Sequence, residues 1–337
     1  MKKSLLALAV LGAFAGAASA QTSITIYGSF DGGIRNQTNV NDAGNSRLTM
    51  GSNGTYNSNR IGFRGVEDLG GGLNAHFNLE TGFNTGTGAL DNATNRLFNR
   101  TASVGIGGAW GSVDLGRQYS VNFRTIGAYD PFSYKYTGII PLAGQGGLTR
   151  LDNDIQYSGT FGGVTVRAEY ALGEVAGSTG NNSTQAIGAS YAGGPFSVGA
   201  AYTTGKRGPT QDQTLNNWTV GGAYATGPFR VALGYADLKQ NVVGAVDTRQ
   251  KDWWLGGSYN ITPAAALSAA YYETKATAAT VDGKRKLFIV GATYALSKRT
   301  NFYADIDNSK YEGSLRVPGT TNQTTTTGVS VGINHLF

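Results

Sequence analysis

The chain has 337 residues and a formal net charge of +6, with 51 glycines, no cysteine and only 14% charged residues. Lack of cysteine excludes disulfides, thiol chemistry and Cys/His metal centres, and so mild a basic excess, dispersed along the chain, argues against nucleic acid as a partner. Hydrophobic residues at 40% beside so much glycine suit short turns and small inward side chains better than the packed interior of a soluble domain.

Lys2 and Lys3 precede an apolar run over 5–16 that closes on Ala18, Ser19 and Ala20. A positive start, a short apolar run and small residues at the last positions predict a signal peptide over 1–20, cleaved between Ala20 and Gln21. As a membrane anchor the run falls short of the roughly 20 residues that span a bilayer. No later apolar stretch approaches 18 residues, so no helix is expected to cross a membrane.

From 24 onward the pattern is alternation with period two. Ile24, Ile26, Gly28, Phe30, Gly32 and Ile34 share one face; Thr25, Tyr27, Ser29, Asp31, Gly33 and Arg35 share the other. The same pattern sets Leu73, Ala75, Phe77 and Leu79 against Asn74, His76, Asn78 and Glu80. Stretches of about ten residues are long for a soluble sandwich and match the 9 to 11 residues of a tilted membrane-crossing strand.

Short turns are predicted at 67–72, 108–111, 161–163, 193–195, 226–228, 261–263 and 296–299. They alternate with longer polar loops near 37–57, 84–95, 119–150, 173–182, 206–215, 240–248, 276–283 and 311–325. Seven turns and eight loops join sixteen strands. An even strand number with short turns at one rim and long loops at the other is the signature of outer-membrane barrels, and closure pairs every backbone group that lipid cannot satisfy. Sixteen strands leave a lumen too wide for side chains to fill, so water occupies it. Among Tyr27, Tyr191, Trp218, Tyr224, Tyr235, Trp253, Trp254, Tyr294 and Tyr303, some are expected to form interfacial girdles.

The last strand alternates Val329, Val331 and Ile333 toward His335 and a terminal Phe337. This ending looks like the signal read by the outer-membrane assembly machinery. NRIGFRGVEDLGGGLNAHFNLETGF (59–83), GSVDLGRQYS (111–120), ITIYGSFDGGI (24–34) and the ending VGINHLF together resemble the Gram-negative general porins, closest to their β-proteobacterial branch. The resemblance covers essentially the whole mature chain. It implies an all-β, transmembrane 16-stranded antiparallel barrel that trimerises and passes small hydrophilic solutes and ions by passive diffusion. Its third long loop would fold inward and narrow the pore.

The segment 119–150 is the longest interruption in the alternation, and it carries Phe123, Ile126, Phe132, Ile139, Ile140 and Leu142. Burial against an inner wall explains such residues in a loop. The family resemblance implies a ladder of wall arginines facing acids on that loop. Arg60 fits the ladder best, sharing a face with Gly62 and Arg64 while Ile61 and Phe63 point to lipid; Arg100 and Arg150 are the expected further rungs. Parity sets Arg100 on the face of Val104 and Ile106, so it needs a bulge or an inward turn. Between Tyr119 and Arg150 the only carboxylate is Asp130, against the basic Arg124 and Lys135. Three wall arginines against one loop acid predict a weakly to moderately anion-preferring pore, with Glu80 and Asp31 moderating the field.

Other chemistries find little footing. His76 and His335 are the two histidines, neither beside a recognisable nucleophile motif, so no enzyme is expected. Asp152, Asn153 and Asp154 could hold Ca²⁺, yet they are ordinary turn formers, and no metal or cofactor is predicted. The alternative to a channel is an adhesin or receptor barrel acting through its extracellular loops.

Overall fold

Alternating side chains commit each long segment to a strand, and glycine-rich breaks reverse it. The computed structural model describes residues 23–51, 55–136, 138–142, 149–207 and 213–337; the leader and its cleavage point between Ala20 and Gln21 lie outside them. In chain order the elements are β1 (Ser23–Gln37), β2 (Arg47–Gly51), β3 (Arg60–Gly70), β4 (Leu73–Gly82), β5 (Thr101–Gly108), β6 (Gly111–Tyr119), α1 (Val121–Gly127), β7 (Arg150–Phe161) and β8 (Val164–Ala171). There follow β9 (Thr184–Gly193), β10 (Phe196–Arg207), β11 (Gln213–Thr226), β12 (Phe229–Val242), β13 (Thr248–Asn260), β14 (Ala265–Thr277), β15 (Asp282–Ala295), β16 (Thr300–Gly313) and β17 (Thr325–Leu336).

From β3 onward each strand pairs antiparallel with the next, and β1 closes the ring against β17, from Ser29 opposite Leu336 to Gln37 opposite Gly328. On its other edge β1 pairs first with β3 (Ser23 to Ser29) and then with β2 (Gly33 to Gln37). β2 and β3 are therefore two halves of one stave, and the barrel has sixteen staves. The seven expected short turns all join consecutive strands. The β3–β4 turn runs through Gly70, Gly71 and Gly72, all at φ between +62° and +79°, a region where a side chain is strained.

The wall is apolar outside and polar inside, the reverse of a soluble protein. On β1, Ile24, Ile26, Phe30 and Ile34 are exposed outward while Ser29 and Asp31 are buried. Outward aromatics form two levels, six residues apart along the strands. Phe196 packs on Tyr224 and Phe229 on Tyr259 near the short turns, at centroid distances of 4.8 and 4.6 Å. Trp218 packs on Tyr235 and Trp253 on Tyr271 nearer the long loops, at 5.0 and 5.1 Å. These are the interfacial girdles. Trp254 and Tyr303, expected as possible girdle members, are instead buried inside, and Tyr27 also faces inward, its hydroxyl donating to Glu80.

The largest hydrophobic core among the described residues joins the third long loop to the inner wall: Ile126, Phe132, Tyr136, Ile139, Ile140 and Leu142 pack against Ala236, Trp254, Ala270, Tyr272, Leu287 and Ile289. The loop folds inward, and its apolar residues are the reason.

Candidate functional site

Beyond β6 the chain turns into the barrel. Ser120 caps α1, its Oγ accepting from the Phe123 amide at 3.2 Å, and the Val121 amide donates to Glu169 Oε2 on β8 at 2.9 Å. After the helix, wall side chains hold the loop by its carbonyls. Trp254 Nε1 donates to Tyr129 O at 2.8 Å, Arg230 Nη2 to Ala128 O at 2.7 Å, and Arg285 Nη2 to Ile139 O at 2.8 Å. The Trp254 bond satisfies a loop carbonyl buried away from bulk water and the Arg285 bond one that is half-buried, while the Arg230 bond to Ala128 stays exposed.

This anchoring decides where the loop's charges go. Asp130 is fully buried, its carboxylate accepting from Tyr272 Oη and from the Tyr134 amide, both at 2.6 Å. Burial pushes its pKa up to about 6, partly offset by those hydrogen bonds. It lies against the wall and does not face the open passage, so the expected loop acid is missing from that side. Lys135 projects the other way, its Nζ 5.3 Å from the Tyr56 ring centre. Burial and the neighbouring Arg60 guanidinium push its pKa down to about 8, with Asp31 opposing.

Lys135 meets the wall arginines around a space of about 370 Å³, lined by Arg60, Arg100, Tyr119, Tyr134, Lys135 and Arg150 among others. Glu80 lies behind the arginines, its Oε1 2.6 Å from Arg100 Nε and its Oε2 3.6 Å from Arg60 Nε. The Tyr119 hydroxyl accepts from Arg100 Nη2 at 2.6 Å and Arg150 Nη2 at 2.7 Å, bridging the two guanidinium groups. Arg150 also stacks on the Tyr119 ring at 4.3 Å. Four cations thus converge with one carboxylate among them. Arg100 reaches the lumen without a bulge because β5 begins at Thr101: Arg100 precedes the paired residues, and strand parity does not bind it.

A sixteen-stave barrel with an inserted loop and a cationic waist has known relatives, and residues 7–314 match the family described as Gram-negative porin. The chain belongs to the Gram-negative porins. This porin is similar to an outer membrane porin protein of Bordetella pertussis, at 32% identity over 405 residues and the full length of both chains. It is equally similar, at 32% over 365 residues and both full lengths, to outer membrane porin protein 32 of Delftia acidovorans. Among solved structures it resembles an anion-selective porin from Comamonas acidovorans, with TM-score 0.83 and 27% identity over 94% of this chain and 100% of that one. The porin is thus an outer-membrane channel for passive diffusion through a water-filled lumen, the reading preferred over an adhesive barrel.

Several expected site residues of the porin fall outside the cationic space. Arg64 lies on the short-turn side, its guanidinium 5.4 Å from the Tyr27 ring centre. Arg124 is exposed on α1, its Nε donating to Tyr119 O at 3.2 Å. At the terminus, Phe337 exchanges backbone hydrogen bonds with Gly28 at 3.2 and 3.3 Å and stacks on Phe30 at 5.3 Å, while His335 Nδ1 meets Thr300 Oγ1 at 2.9 Å. Asp152 is engaged by Arg96 and Arg117 at 3.0 and 2.5 Å. His76 sits between Asn74 and Asp114 at 2.9 and 2.8 Å, and Ser112 bonds Asp114 rather than the imidazole. That is not the order of a catalytic triad.

Sequence reading missed Tyr119 and Tyr56. Alternation sets Tyr119 on the face of Val113 and Leu115, and the register shift between Gly116 and Gln118 releases it from that parity; Tyr56, in the first long loop, had no periodicity to mark it.

Proposed function

We propose that Arg60, Arg100, Arg150 and Lys135 form the constriction of this porin and make it anion-preferring, with the inserted loop within 119–150 as its narrowing element. The carrying observation is the asymmetry of charge: three wall arginines and a loop lysine face one space, while the loop's single carboxylate is buried against the wall. Fixed positive charge between low-dielectric walls raises the local concentration of anions and repels cations. The Comamonas relative carries the description anion-selective, which supports the same sign. Glu80 tempers the field and holds the arginines in place. The homotrimer, carried by the family resemblance, belongs to this reading, as do Phe337 and His335 as the assembly signal and 1–20 as the cleaved leader.

Planar-bilayer reversal potentials under a salt gradient test the assignment. Arg60→Ala should shift the potential toward zero, and Glu80→Gln should move it further to the anion side. Unchanged potentials in both variants would remove these residues from the constriction.

A further inference from the structure

The outer surface of β12 to β16 carries an arrangement that pore function does not use. Parity fixes the direction: Trp254 is buried in the lumen and Trp253 exposed outside, so Lys251 also points outward. By the same alternation Lys239, Arg249, Lys275, Lys284, Lys286 and Lys310 lie on the lipid side of their strands.

The register then sets like charges directly opposite one another. Lys239 faces Arg249, Lys251 faces Lys275, Lys275 faces Lys284, and Lys286 faces Lys310. Like charges at opposed positions destabilise a sheet, and four such pairs on five consecutive strands call for compensating anions, of which the register itself sets Asp237 opposite Lys251, Glu273 opposite Lys286 and Glu312 opposite Lys284. The protein supplies only part of that compensation. Glu312 holds Lys286 and Lys310 at 2.9 and 3.3 Å, and Asp237 holds Arg249. In the central row Lys284 has Glu273 at 3.1 Å, Lys275 has only the exposed Asp282 at 3.9 Å, and Lys251 makes no ion pair among the described residues.

Height along the strands identifies the partner. Lys251 lies two residues beyond Trp253, Lys275 four beyond Tyr271, and Lys284 four beyond Phe288, all on the long-loop side of the upper aromatic level. Long loops of such barrels are extracellular, and interfacial aromatics mark the depth where headgroups begin. The central lysines therefore stand at the headgroup level of the outer leaflet. Adjacent strands are about 4.8 Å apart, so the three ammonium groups span roughly 10 Å, room for more than one phosphate. Lysine meets phosphate as a mobile point charge.

We propose that the Lys251–Lys275–Lys284 row is a docking site for the phosphate groups of an anionic glycolipid in the outer leaflet. The test compares folded wild type with Lys251→Gln/Lys275→Gln/Lys284→Gln for binding of phosphorylated lipopolysaccharide and of the same lipid stripped of phosphate, with inorganic phosphate as competitor. Wild type should bind the phosphorylated lipid about tenfold more tightly than the variant, the stripped lipid should not distinguish them, and single-channel conductance should match. Equal binding of the phosphorylated lipid by both proteins would overturn the proposal. So would inorganic phosphate binding as tightly as the lipid, which would make the row a free-anion site. Loss of subunit association in the variant without loss of lipid binding would reassign the row to a contact between copies and also overturn it.

Discussion

Lys135 carries a charge that its surroundings control. Its pKa is pushed down to about 8 by burial and by Arg60, so it is charged below that pH and neutral above it. Anion preference should therefore weaken as pH rises through about 8, and Lys135→Gln should flatten that dependence; reversal potentials recorded at pH 6, 8 and 10 measure it. The linked effect on stability has a definite sign. Because the folded pKa lies below the unfolded value near 10.4, the unfolded chain binds more protons between them, and stability contributed by this group rises over that range. Arg100 and Arg60 should separate by another measure. Arg100→Ala leaves the Glu80 carboxylate largely buried beside Tyr27 and should cost ~3 kcal/mol in denaturant unfolding. Arg60 is more exposed and 3.6 Å from the same carboxylate, so Arg60→Ala should change selectivity with a smaller loss.

At the scale of elements, the inserted loop holds its shape because the wall was made to receive it. Gly221 on β11 lies where an added Cβ would come 2.7 Å from Tyr129, and Gly291 on β15 where one would come 2.8 Å from Tyr136 Oη. Gly221→Val should push Tyr129 off the wall, free the loop and raise single-channel conductance. Trp254→Ala should do the same by removing both the indole and its bond to Tyr129 O, with a loss of ~3 to 5 kcal/mol from truncating a buried tryptophan. Unchanged conductance in both variants would mean the loop holds by other contacts. The strands themselves were legible because period-two alternation is local: Ile24 to Arg35 and Leu73 to Glu80 declare their faces without reference to any partner. The loop's anchoring was legible only in outline, through Ile126, Phe132, Ile139 and Ile140. That Asp130 binds Tyr272, 142 residues away, is written in no local pattern, and this long-range contact turns the expected loop acid away from the passage. Arg100 misled for a related reason, since parity ends where pairing ends and Arg100 stands one position before the first residue of β5.

For the whole molecule, closure through β1 and β17 makes the terminal strand part of the wall. The outside satisfies lipid with aliphatic and aromatic side chains and the inside satisfies water with polar ones; under the proposed function, diffusing solutes pass the cationic space beside the inserted loop. The central claim is that this waist carries net positive charge. The sign of the zero-current potential of the purified wild-type protein, in a planar bilayer with potassium chloride at unequal concentration on the two sides, tests it most directly. A potential on the chloride side, falling toward zero in Arg60→Ala/Lys135→Gln, is the predicted result; a potential on the potassium side in the wild type would contradict it.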